Sequence, residues 1–204
     1  GWDGIHTKPE QWDADKYLLN FKNGTLDLRR GNSFPTFRPH NPNDLLTKQV
    51  NANYDPKAHA PKWNAHIERF LPNPNIRRQV QRDLGMAIVG AVLDEALPIW
   101  YGTGGNGKST TVNVIMKILG DYACKAAPDL LAQSRWDRHP TEVADLCGRR
   151  IAFSVEMDRL KHLDEARVKD LTGGDRKKAR FSHQDFFEFE QTFSLFLIVN
   201  QKPI

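Results

Sequence analysis

The chain has 204 residues, room for one large domain or two small ones, and eleven Phe and five Trp within a 39% hydrophobic composition exclude intrinsic disorder. Two cysteines, Cys124 and Cys147, exclude a disulfide framework, and the longest uncharged apolar run, Met86 to Leu93, is far short of the roughly 20 residues that span a bilayer. A net charge of +4 agrees with an anionic partner without demanding one, since soluble domains often carry as much.

The first sixty residues are rich in Asn, Pro and Asp, which mark turns. Within them Tyr17 to Phe21 and Thr25 to Leu28 flank Asn23-Gly24, a hairpin signal in which both central residues take positive φ. Pro35 to Pro56 reads as an irregular connection. From Trp63 the period changes: Trp63, Ile67 and Phe70 share a helical face, Pro72-Asn73-Pro74 ends that helix, and a second one runs from Ile76 toward Leu93. Residues 1–95 are therefore expected to form an accessory unit, a β-hairpin followed by a small helical bundle.

From residue 96 onward strands alternate with helices. Leu97 to Tyr101, Ile151 to Val155 and Leu195 to Val199 are apolar strand candidates. A helix carrying Val112, Ile115, Met116 and Leu119 follows the first strand, and another, Asp164 to Leu171, precedes the last. The expected class is α/β, a mostly parallel sheet with flanking helices over residues 96–204.

One motif has high specificity. Gly102-Thr103-Gly104-Gly105-Asn106-Gly107-Lys108-Ser109 fits the G-x-x-x-x-G-K-[ST] pattern in full, between a strand and a helix, with Thr110 directly after. Glycines let successive backbone N–H groups turn toward a phosphate oxygen, and the helix N-terminus adds its positive end. Lys108 is expected to reach the β- and γ-phosphates of ATP, and the Ser109 hydroxyl to coordinate Mg²⁺. Hydrolysis also needs an acid. Arg150 to Glu156 is an apolar strand ending in a carboxylate, so Glu156 is the candidate for metal binding and for polarising the attacking water. Asp158 lies past the strand end and is the weaker second choice. His40, His59 and His66 lack metal-ligand spacing and read as surface or core histidines.

Five stretches together resemble the superfamily 3 helicases, within them the helicase part of phage and plasmid primase-helicases. They are Asn20 to Leu28, the loop from Gly102 to Thr110, Glu156, Val168 to Asp175, and Phe196 to Pro203, in the family's order and spacing. The resemblance implies an AAA+-like P-loop domain that forms a homo-hexamer and uses Mg-ATP to move along single-stranded DNA in replication. It implies a phage or mobile element in a bacterial cytoplasm, in keeping with a chain that opens without a basic-then-apolar leader. Asn200 is similar to the family's sensor asparagine, whose amide hydrogen-bonds the γ-phosphate or the attacking water. Between Gly174 and Asn200 the family places a hairpin that touches the DNA strand. Here Lys177, Lys178, Arg180 and His183 are the expected DNA contacts, with His183 nearest the tip, whereas Phe187 and Phe189 are expected to face the core.

Two departures limit what carries over. Many members end the acid-bearing strand in two adjacent acids, whereas Val155 precedes Glu156 here. The family also continues past the sensor with a strand and an arginine finger, and no arginine follows Asn200 in this sequence, so the ATPase domain is expected to be truncated and weakly active alone. Two other readings of the P-loop stand beside the helicase. One is a small-molecule kinase; the other is a nucleic-acid-binding or assembly module with a non-catalytic nucleotide site.

Overall fold

A computed structural model describes residues 8, 11–29, 35–134, 139–155 and 162–201. Leu18–Phe21 (β1) and Gly24–Asp27 (β2) pair antiparallel with Phe21 opposite Gly24. The hairpin therefore turns at Lys22-Asn23, one residue before the expected position, and neither of these residues has positive φ. Gly24 does have a positive φ, +156°, and is needed for a second reason. A Cβ there would lie 2.5 Å from the Arg38 carbonyl oxygen and 2.6 Å from the Phe37 ring. Both belong to Thr36–Arg38 (β3), which pairs with β2 inside the stretch read as irregular. Three residues with no buried position leave no alternation to detect.

Pro61–Phe70 (α1) and Pro74–Ala87 (α2) are the two expected helices. Asn73 accepts from the Asn75 backbone N–H at 2.9 Å and Pro74 opens the first turn, a combination that starts α2 sharply. The helix ends at Ala87 rather than near Leu93. Just beyond it the Val89 carbonyl accepts a hydrogen bond from Arg150 Nη1, and Gly90 turns the chain at φ +74°.

Ile99–Tyr101 (β4) is followed by Lys108–Leu119 (α3), Ala123–Lys125 (β5), the short helix Thr141–Ala144 (α4) and Ile151–Val155 (β6). Glu165–Thr172 (α5), Lys177–Ala179 (β7), Phe187–Phe189 (β8) and Ser194–Val199 (β9) complete the described chain. The main sheet is parallel throughout, in the order β4-β9-β6-β5, the α/β arrangement expected. Its central strands, β6 and β9, are apolar runs buried on both faces, the usual state of a parallel sheet, whereas β4 and β5 are partly exposed.

Different elements cover the two faces. Val112 and Ile115 of α3, with Ala87, Leu84 and Trp63 of the first two helices, pack on Phe153 and Phe196. On the other face Leu130, Leu146, Leu171 and Phe189 pack on Ala152, Leu195 and Leu197. A third cluster joins Leu19, Leu26 and Val50 to Tyr122. Two of the three clusters thus cross residue 95, so the described residues before and after it share a core.

Arg150 ties these parts together. It sits at the head of β6, 4% exposed, with Tyr122 under its guanidinium at 5.5 Å. Nη1 donates to the carbonyls of Lys16 and Val89, and Nη2 to that of Leu18 at 3.2 Å. Burial pulls its pKa down, and backbone carbonyls rather than a carboxylate satisfy the charge. Hairpin, second helix and sheet meet on one side chain.

Candidate functional site

The turn from β4 to α3 is built by backbone conformation. Gly105 and Gly107 have φ of +80° and +77°, and Gly107 caps α3 with no side-chain hydrogen bond. The first-turn N–H groups of α3 therefore face outward without a side-chain acceptor, the arrangement that binds phosphate oxygens. Gly107 also has no room for a side chain, because a Cβ would lie 2.6 Å from the Phe70 ring. Lys108 stays inside the loop: Nζ donates to the Gly102 carbonyl and, at 2.8 Å, to Asn106 Oδ1. Desolvation moves its pKa below the ordinary lysine value. Ser109 and Thr110 are exposed on the first turn. These groups fit a nucleoside triphosphate, and the Ser109 hydroxyl is the hard oxygen donor that Mg²⁺ takes alongside phosphate oxygens.

The sequence gives no hint of one neighbour of this loop. His66 Nε2 lies 3.0 Å from Thr111 Oγ1, which donates to the Gly107 carbonyl at 3.0 Å. Trp63, His66 and Phe70 form a ladder along α1 with ring centroids 6.1 and 4.9 Å apart. The spacing of Trp63 and Phe70 marks a half-buried face with His66 on it, but not the surface that the face meets.

Register brings the other candidates to the same edge. Tyr101 pairs with Val199 and Val155 with Ile198, so β4, β9 and β6 end together. Gly102 and Asn200, the next residues on two adjacent strands, emerge side by side, with Asn200 exposed. Ligands of open parallel sheets bind at this carboxyl edge. Glu156 and Asp158 lie outside the described residues, and Val155 is the last described position on their strand. Among the described residues no three His, Cys, Asp or Glu side chains gather as a metal site.

The basic segment is a separate hairpin. β7 and β8 pair antiparallel with Ala179 opposite Phe187, which puts His183 at the middle of the connection, in a left-handed conformation at φ +60°. Alternation sorts the side chains. Lys178, Arg180 and His183 are exposed, whereas Ala179 and Phe189 enter the core. Lys177 corrects the expectation that it touches DNA. Its side chain is 3% exposed, and Nζ donates to the carbonyl of Asp170 and to Asp170 Oδ1 at 3.0 Å. The two-residue period of a strand turns it inward, where it fastens the hairpin to α5. Phe187 and Phe189 face inward as expected, but on this hairpin rather than on the main sheet. Phe186 is 52% exposed, with Arg180 Cζ at 4.8 Å and Lys178 Nζ at 5.3 Å from its ring centroid.

Residues 4–72 match the family described as D5 N terminal like. The chain is 26% identical over 197 residues to Putative helicase L207/L206 of Acanthamoeba polyphaga mimivirus, covering 94% of this chain and 20% of that protein. It is 24% identical over 193 residues to Putative primase C962R of African swine fever virus (isolate Tick/Malawi/Lil 20-1/1983), with 90% and 20% covered. The chain thus spans about a fifth of the length of these relatives. The apo structure of the NrS-1 C-terminal region superposes with a TM-score of 0.61 at 15% identity, over 78% of this chain and 37% of that one, which shows a common fold. No helix among the described residues is long and apolar enough to cross a membrane.

Proposed function

We propose that this chain, similar to Putative helicase L207/L206 and to Putative primase C962R, carries the nucleotide-driven part of a DNA helicase. The observation that carries the reading is the pairing of β4 with β9, which sets the phosphate loop beside Asn200. Lys108 and the α3 N-terminus bind the triphosphate, and Ser109 and Glu156 would hold Mg²⁺, which would supply positive charge against the triphosphate. Glu156 takes the proton of the attacking water, and the Asn200 amide donates a hydrogen bond to the γ-phosphate. Lys178, Arg180 and His183 neutralise phosphates of a single strand, and movement of their hairpin between nucleotide states draws the strand through a hexamer.

The kinase reading needs an acceptor, which gives the two a common test. Phosphate release from Mg-ATP by a chain extended past Ile204 is measured with and without single-stranded DNA. The helicase reading predicts release that rises with DNA. Release indifferent to DNA, with phosphate passed to a small molecule, would favour the kinase.

A further inference from the structure

Two residues of α1 converge on Gly107, which opens α3. Phe70 lays its ring against the α-carbon, where a Cβ would lie 2.6 Å from it. His66 reaches the carbonyl side through Thr111, whose hydroxyl it meets at 3.0 Å. We propose that His66 is a positioning residue of the nucleotide site, aiming the Lys108 backbone N–H at phosphate by way of Thr111 and the Gly107 carbonyl. The inference rests on the P-loop reading above and extends it to a helix that no motif marks.

Chemistry fixes the direction of each hydrogen bond. A carbonyl oxygen only accepts, so the Gly107 oxygen takes the Thr111 N–H at 2.9 Å and the Thr111 hydroxyl proton at 3.0 Å. A hydroxyl has one proton to donate, and that of Thr111 is engaged. Its oxygen therefore accepts from His66, and Nε2 carries the hydrogen. The chain runs one way, from His66 to Thr111 to Gly107. Thr111 is buried, which keeps water from replacing either partner.

The peptide bond carries the effect to the phosphate site. It is planar and trans, so the Gly107 carbonyl and the Lys108 N–H point in opposite directions from one plane. A carbonyl drawn along α3 toward Thr111 turns that N–H outward from the helix N-terminus, where phosphate oxygens bind. Gly107 needs such a hold. It has φ +77°, no side chain caps the helix at this point, and glycine has the freest backbone of any residue. His66 is itself held, stacked on Trp63 at 26° and tilted at 55° against Phe70. An imidazole ordered on both sides loses little freedom in ordering Thr111.

The test is calorimetric titration of Mg-ATP into wild type and variants, with a melting curve for each. His66→Leu keeps the apolar contacts and removes the donor, and it is expected to weaken binding by about fivefold, the size of one neutral hydrogen bond. His66→Gln, whose amide N–H extends about as far as Nε2, should stay within about twofold of wild type. Thr111→Val keeps the shape and removes the hydroxyl; it should also cost about fivefold, and adding His66→Leu to it should weaken binding no further. Should His66→Leu fail to fold, His66→Asn, whose amide falls short of Thr111, takes its place with the same expected loss. Wild-type affinity in His66→Leu, a glutamine variant as weak as the leucine one, or losses that add in the double variant would each overturn the positioning role and leave the P-loop reading standing. Failure of wild type to bind Mg-ATP removes the P-loop reading and the role of His66 together.

Discussion

Lys108→Ala is expected to weaken Mg-ATP binding by roughly 10- to 100-fold, since a hydrogen bond to a charged group contributes about 1.5–3 kcal/mol. The ammonium is already in place: Gly102 and Asn106 hold Nζ within the loop, so little side-chain freedom is lost when phosphate replaces them. Calorimetric titration checks the affinity, and a melting curve checks the fold. The side chain is only partly buried and covers no core residue, so the melting temperature should stay within about 1 °C of wild type. Unchanged affinity would mean that the loop is a turn and not a phosphate site.

Arg150→Met is expected to act the other way round, on stability first. Methionine fills much of the same volume, but it leaves the carbonyls of Lys16, Leu18 and Val89 without their donor. Unsatisfied buried acceptors cost about 1–3 kcal/mol each, and partial access to water brings the expected total to about 3 kcal/mol. For a chain of this size that lowers the melting temperature by about 6–12 °C. Arg150→Lys should fall between, because one ammonium cannot reach all three carbonyls in the plane that a guanidinium spans. A thermal scan decides. A drop of less than about 2 °C in Arg150→Met would show that the three segments are held by their apolar clusters alone.

What the sequence revealed and what it concealed divide along a physical line. Local chemistry was visible: the phosphate loop is contiguous, its strand and helix carry opposite periodicities, and Pro72-Asn73-Pro74 divides two helices. The parallel sheet followed from the alternation of strands and helices. Contacts between distant segments were hidden. Arg150 looks like a strand-end cation, yet its guanidinium reaches residues 16, 18 and 89. His66 lacks any motif, and its bond to Thr111 arises because the Trp63 face happens to meet α3. Lys177 was misjudged among its basic neighbours because composition records charge and not strand parity, and parity sends it to Asp170. Gly24 was marked for a positive φ, which it has, but the room it leaves for β3 was hidden because that strand is too short to recognise.

The central claim is that the phosphate loop and the basic hairpin are two parts of one machine. The most direct test is phosphate release against single-stranded DNA concentration by a chain extended past Ile204, in wild type and in the double variant Lys178→Ala, Arg180→Ala. Both side chains are exposed and support no core contact, so basal release should be unchanged. DNA should accelerate wild type, and the variant should need at least about tenfold more DNA for the same rate, in line with two lost phosphate contacts. Equal DNA response in the two proteins, or none in either, would contradict the account.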